Sequence, residues 1–198
     1  MNKIDYEKIL DEISRILGPS GPLSKVLDNY EFRQCQEDMA FGVFKSFFTS
    51  RHALIESGTG TGKSIAYLIP AIFWAFYTHE KIDISTNTIN LQEQLIYKDL
   101  PSIQNCFNHT FKYCLVKGRQ NYICLRKLSV FSDEMENETD FEQQQAFTEL
   151  FNELSVNRTG SRSDFSINIP TEIWNRLESD SLSCLKTRCP WFKQCYFI

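Results

Sequence analysis

No stretch of this 198-residue chain is apolar for long enough to span a bilayer, because the longest run, residues 65–77, is short and carries Pro70. The opening residues, Met1 to Glu7, hold no apolar signal core, so an intracellular, cytoplasmic protein with no membrane partner is expected. Internal repeats and low-complexity tracts are absent, which argues against a solenoid. A positive excess is missing as well, since the formal net charge is -4. That ordinarily argues against nucleic acid, but residues 133–153 hold eight acids and no base, leaving 17 acids against 21 Lys and Arg elsewhere. The chain outside this segment is net basic. The segment itself reads as a solvated helix. The length suits one α/β core with a smaller insert.

What is present begins with Ser57-Gly58-Thr59-Gly60-Thr61-Gly62-Lys63-Ser64, preceded by an apolar strand pattern at 53–56 and followed by an apolar helix pattern through Tyr77. Glycines at 58, 60 and 62 let backbone N–H groups approach phosphate oxygens, and a helix starting near Gly62 offers its positive end. Lys63 is placed for the β and γ phosphates and Ser64 for Mg²⁺. The strict consensus asks for glycine where Ser57 stands. A flexible Gly/Thr linker is the alternative, but it needs neither the strand nor the helix.

The spacing predicts helices over 6–17 and 34–48, strands over 53–56, 82–86 and 111–116, and a helix over 90–100 ended by Pro101. This βαβα order implies a parallel sheet. The pattern changes near Gly118, where a domain boundary is expected.

Seven cysteines in a reducing compartment point to ligands, reactive thiols or packed residues rather than disulfides. Cys184, Cys189 and Cys195 are spaced C-x4-C-x5-C, with Cys124 upstream, and Pro190 follows Cys189. Four thiolates suit a 4Fe-4S cluster or zinc. The lone Cys124 and the C-x5-C step fit the paired hooks of structural zinc less well. Cys35, Cys106 and Cys114, among apolar neighbours, read as packed thiols.

Taken in order, these motifs resemble the amino-terminal part of the XPD/DinG-like superfamily 2 iron-sulfur DNA helicases, over roughly residues 28–195. The segment from Tyr30 to Met39 is similar to that family's adenine-recognition segment. There the resemblance implies that Gln36 reads the base, with Arg33 beside it. Residues 56–64 are similar to its first helicase motif, with Lys63 and Ser64 as the catalytic pair and Ser57 to Ser64 cradling ATP with Mg²⁺. Ser85, Thr86 and Asn87 fall in a segment similar to the next motif, which touches the DNA backbone. An ordinary helix-capping turn is the alternative there.

The resemblance assigns Cys124, Cys184, Cys189 and Cys195 to a 4Fe-4S cluster. The fold it implies is a P-loop RecA-like parallel sheet, a partial first motor domain at 1–117, with a small, mainly helical iron-sulfur domain at 118–198. Lys117, Arg119, Arg126, Lys127, Lys186, Arg188 and Lys193 are suited to a single strand's phosphates, and Tyr122, Trp191 and Phe192 to stacking on bases. A solvated face and a shield around the cluster are the alternatives.

The implied function is that of an ATP-dependent DNA helicase in DNA repair, running 5' to 3' on single-stranded or forked DNA. Family motors also need an acidic DExH-type segment and a second RecA-like domain. The remaining motor domains are therefore expected in the same or a longer chain, the present residues being a fragment or a truncated product that binds ATP with little turnover. A non-motor nucleotide- and DNA-binding protein and a zinc-containing P-loop kinase or nucleotidase are the other readings.

Overall fold

The computed structural model describes residues 5–135 and 141–198. Helix α1, Tyr6–Leu17, buries Ile9, Ile13, Ile16 and Leu17 on one face, and the Asp5 carboxylate caps it by accepting from the Lys8 amide at 3.2 Å. A short α2, Pro22–Val26, follows the Gly/Pro loop. Helix α3 is Gln34–Thr49 and α4 is Lys63–Thr78. Phe44 of α3 and Leu68 and Ile69 of α4 join the stripe of α1, Leu23 and Ile103 in one core. Phe47 stacks on Trp74 at 5.7 Å between ring centres.

The last helical stretch of this part differs from its expected form. It opens as α5, Ile89–Gln94, passes through a π-helical turn at Leu95–Asp99 and continues as α6, Leu100–Gln104. Pro101 does not end it. The proline lies in the first turn of α6, where its missing N–H costs least. The preceding turn is already widened, with the Leu100 amide reaching back to the Leu95 carbonyl.

The expected parallel sheet is not formed: the described residues contain no strand. Residues 53–56, 82–86 and 111–116 are irregular. Leu54 is fully exposed, and Ile84 and Tyr113 are partly so. Local pattern registers strand preference, but a parallel strand needs hydrogen-bonding neighbours and helices over both faces. No described segment supplies a partner ladder to these three. The chain is mostly helical.

The chain divides into two units, Met1–Leu115 and Val116–Ile198. In the second, α7 (Leu125–Met135), α8 (Phe141–Leu154) and α9 (Thr171–Leu177) enclose a separate core. The acidic segment forms the end of α7 and most of α8, with residues 136–140 outside the described set. It is solvated on one side only, since Phe147 and Leu150 are buried. Two isolated antiparallel bridges, Tyr122 with Ser161 and Ile123 with Glu178, fasten the loops. No helix among the described residues is long and apolar enough to cross a membrane.

Trp174 centres this second core. It is 1% exposed, meets Phe165 edge-on at 6.2 Å, lies under the Arg162 guanidinium at 5.4 Å and donates its indole N–H to the Gln120 carbonyl at 2.9 Å. Trp174→Ala is expected to lower the stability of the second unit by about 3–5 kcal/mol. Trp174→Phe, which strands the Gln120 carbonyl, is expected to cost about 1–3 kcal/mol. Denaturant unfolding followed by circular dichroism measures both.

Candidate nucleotide and cysteine sites

The glycine-rich loop is held in a definite shape by its own side chains and by α3. Gly60 and Gly62 both take the left-handed backbone region, at φ 75° and 79°. At Gly62 there is a second constraint. The Gln36 amide donates to its carbonyl at 2.9 Å, and a Cβ there would lie 2.1 Å from that amide nitrogen. Gln36 is buried. Arg33 donates to the Gly60 carbonyl and faces Glu31 at 3.5 Å. Arg33 and Gln36 are thus brought against the loop from 26 or more positions away in sequence.

Within the loop, Ser57 and Thr61 share a hydroxyl hydrogen bond of 2.7 Å, and Thr61 also donates to the Gly58 carbonyl at 3.0 Å. The serine that departs from the consensus therefore closes the loop through its side chain. Lys63 folds back, its Nζ donating to the carbonyls of Ser57 at 3.0 Å and Gly58 at 2.6 Å. Gly62 precedes α4 with no side-chain cap, so the first amides of α4 are free of side-chain acceptors. Ser64 is hydrogen-bonded to Tyr67, whose phenol is pushed up by burial and by the Asp99 carboxylate.

A cleft of about 470 Å³ runs beside this loop, lined by Tyr30, Arg33, Gln36 and Gly62 and also by Lys98 and Ser102. Spacing gave no sign of the last two. They sit in a helix whose only irregular mark in sequence is Pro101.

Thr88 caps α5 by accepting from the Leu91 amide at 3.3 Å, so the capping role weighed for this segment is filled by that residue. Ser85 and Asn87 stay exposed. Of the three cysteines read as packed, only Cys106 is buried, and burial pushes its thiol up. Cys35 and Cys114 are exposed.

Cys124, Cys184, Cys189 and Cys195 are all free and half-buried. The first two are held by neighbouring ties: the Cys124 amide donates to the Leu177 carbonyl at 2.8 Å, the Ser179 amide to the Tyr122 carbonyl at 2.8 Å, and Arg126 to the Ser183 carbonyl at 3.0 Å. The Lys186 amide donates to the Cys184 sulfur at 3.4 Å and, with Arg119, holds that thiol below its usual range. The thiols suit a soft metal chemically. Their arrangement does not, for no three Cys, His, Asp or Glu among the described residues converge on a metal position.

Two members of the basic and aromatic set are withdrawn from any ligand. Lys117 is 3% exposed and binds Ser161 at 3.2 Å, Ser163, and Asp164 at 3.4 Å. Tyr122 is buried, and its hydroxyl accepts from the Lys117 amide at 3.0 Å. Lys117 was absorbed because the loop at 159–164 supplies polar partners that local sequence does not reveal, and the Tyr122 ring meets Phe197. Lys127 pairs with Asp180 at 2.8 Å. Lys186, Arg188, Trp191 and Lys193 remain exposed.

Comparison with known proteins follows these motifs. The chain is 36% identical over 197 residues to the ATP-dependent DNA helicase YoaA of Haemophilus influenzae, covering 98% of this chain and 29% of that protein. It is 35% identical over 181 residues to the ATP-dependent helicase DinG of Mycobacterium tuberculosis, covering 83% of this chain and 27% of that protein. By sequence, the chain belongs with the DinG-like helicases. A third DinG-like relative, the 3'-5' exonuclease DinG of Bacillus subtilis, is 33% identical over 174 residues, 86% of this chain and 18% of that protein. The chain thus spans less than a third of the length of each of these DinG-like proteins. No protein-family model matches it.

The second unit of this DinG-like chain depends on ionised carboxylates. Burial acts to raise Asp164, but hydrogen bonds from Thr159 and Ser163 and the charge of Lys117 outweigh it and hold the carboxyl below its usual range. Lys127 and Ser183 depress Asp180. A depressed folded value means stability that is present above the unfolded value of about 3.9 and is lost as pH falls toward the folded value. Thermal melts are expected to be level above about pH 4 and to drop below it. Asp164→Asn is expected to be less stable at neutral pH and to show a shallower acid limb.

Proposed function

We propose that this chain is the ATP-binding portion of a DinG-like DNA helicase and that it engages single-stranded DNA. The observation that carries the nucleotide half is the buried Gln36 amide on the Gly62 carbonyl, which joins a base-reading side chain to a phosphate-type loop. Lys63 is the triphosphate ligand, in exchange for the two loop carbonyls it now holds. Ser64 is the Mg²⁺ ligand, and the backbone of Ser57 to Gly62 is the cradle. When bound, Mg²⁺ neutralises phosphate charge. The chain's residues orient the triphosphate and shield it from wrong registers. Arg33 reinforces the loop from the Gly60 side.

In this reading the segments at 53–56, 82–86 and 111–116 belong to a parallel sheet completed with the remaining motor domains, and 118–198 is an iron-sulfur domain. Its four cysteines are the proposed ligands of a 4Fe-4S cluster. The support is their spacing and the ties that hold the Cys124 and Cys184 segments together, and no step of nucleotide chemistry is routed through the cluster. Ser85, Asn87, Lys186, Arg188, Lys193 and Trp191 are the proposed DNA-binding residues. Movement is proposed to be 5' to 3', with forked DNA as substrate for the complete motor and turnover by the present residues negligible. The exonuclease name of the Bacillus subtilis relative supports a second reading, in which the same nucleotide- and DNA-binding part serves a protein of different activity.

Calorimetric titration of the 198-residue chain with Mg-ATP, beside fluorescence anisotropy with a labelled oligonucleotide, tests both halves. Lys63→Ala is expected to abolish nucleotide binding and spare DNA binding. The triple variant Lys186→Ala, Arg188→Ala, Lys193→Ala is expected to do the reverse and to reduce the logarithmic salt dependence of DNA binding by about 0.7 for each phosphate that is no longer neutralised. DNA binding unchanged in the triple variant would rule out this basic face.

The cluster is tested separately, by iron, sulfide and zinc analysis of anaerobically purified chain. About four irons and four sulfides per chain, absent from Cys189→Ser, are expected. Stoichiometric zinc would overturn the assignment.

A further inference from the structure

The cleft beside the glycine-rich loop has two walls, and only one belongs to the adenine-recognition segment. The other is built by Lys98 and Ser102, on the π-helical turn and α6. The turn determines what each neighbour does. Asp99 is buried and accepts from the Gln94 amide at 3.1 Å, while Lys98 is exposed on the cleft side. Ser102 spends its hydroxyl proton on the Lys98 carbonyl at 2.8 Å, which holds the Lys98 backbone in place. No carboxylate stands within ion-pair distance of the Lys98 ammonium among the described residues, although Asp28 and Glu31 line the same cleft.

Two polar side chains of the adenine-recognition wall are already engaged with the loop. Arg33 is on the Gly60 carbonyl and beside Glu31, and the Gln36 amide N–H is on Gly62. Gln36 therefore has its carbonyl oxygen, an acceptor, left for the cleft. Lys98 supplies a charged donor in the same cleft. An acceptor and a donor lining one cleft suit the adenine edge, which carries an exocyclic amine and a ring-nitrogen acceptor. Guanine presents a carbonyl where adenine has its amine and leaves the Gln36 oxygen unmatched.

On the nucleotide-binding reading above, we infer that Lys98 is a nucleotide-contacting residue that donates to the adenine ring and helps select ATP over GTP. It stands in the middle of the helical stretch that begins with the Thr88 cap. Ser85 and Asn87, proposed for DNA, immediately precede that cap.

The test compares ATP, GTP and inorganic tripolyphosphate binding by the full chain and its variants. Lys98→Ala is expected to weaken ATP binding about tenfold, the worth of one charge-assisted hydrogen bond. It is expected to leave tripolyphosphate affinity unchanged and to narrow the ATP-to-GTP ratio. Lys98→Arg is expected to restore most of the ATP affinity, and circular dichroism of both variants to match the parent, since the side chain is exposed. Lys63→Ala is expected to lose ATP and tripolyphosphate alike. Wild-type ATP affinity in Lys98→Ala, with Lys63→Ala inactive, would overturn the Lys98 assignment alone. Equal weakening of ATP and tripolyphosphate in Lys98→Ala would also overturn it. No ATP binding by the parent chain would overturn the nucleotide reading itself, and Lys98 with it.

Discussion

The first unit depends on one hydrogen bond, from the buried amide of Gln36 to the carbonyl of Gly62. It satisfies a side chain that would be costly to bury unpartnered, and it holds the residue whose left-handed backbone turns the chain into α4. The consequences spread in both directions. Toward the core, α4 is set at the angle that packs Leu68, Ile69 and Trp74 against α3. Toward solvent, the loop is fixed so that Lys63 folds back onto the carbonyls of Ser57 and Gly58. A glycine is required at 62 for two independent reasons, its backbone angle and the amide lying where a Cβ would go.

The second unit solves a different problem, a small domain with few regular elements. Its short helices and loops are joined by polar contacts that reach across long stretches of sequence, from Lys117 to the loop at 161–164 and from Trp174 to Gln120. Lys117 is a cation taken out of water. It is tolerated because two hydroxyls and a carboxylate surround it, and removing a partner leaves charge without compensation. Separate ties, from the Cys124 amide to Leu177 and from Arg126 to Ser183, hold the Cys124 segment against the segment that leads to Cys184, while no three of the thiols converge among the described residues.

Helices were legible because their signal is local. The stripe at Ile9, Ile13, Ile16 and Leu17 defines a face by its period, and α1 and α3 begin and end within a residue of where the pattern places them. The start of α4 was legible from Gly62-Lys63. Strands were not, since 53–56, 82–86 and 111–116 show the preference for a sheet without the partners that make one. Pro101 misled for a related reason. A proline stops a helix only when its missing donor goes uncompensated, and the π-helical turn before it compensates.

Sequence by itself determined the chemistry on offer: the glycine-rich loop with Lys63 and Ser64, the four cysteines of the second unit, the helix-forming segments, and the likeness to DinG-like helicases. These depend on residue identity and near-neighbour spacing. Tertiary structure decided which groups remain available. It buried Lys117 and Tyr122, left Lys186, Arg188 and Trp191 in solvent, and brought Lys98 to the cleft shared by Arg33 and Gln36. The reason is that burial and convergence follow from packing between distant segments, and a side chain's charge or ring says nothing about which partners will reach it first.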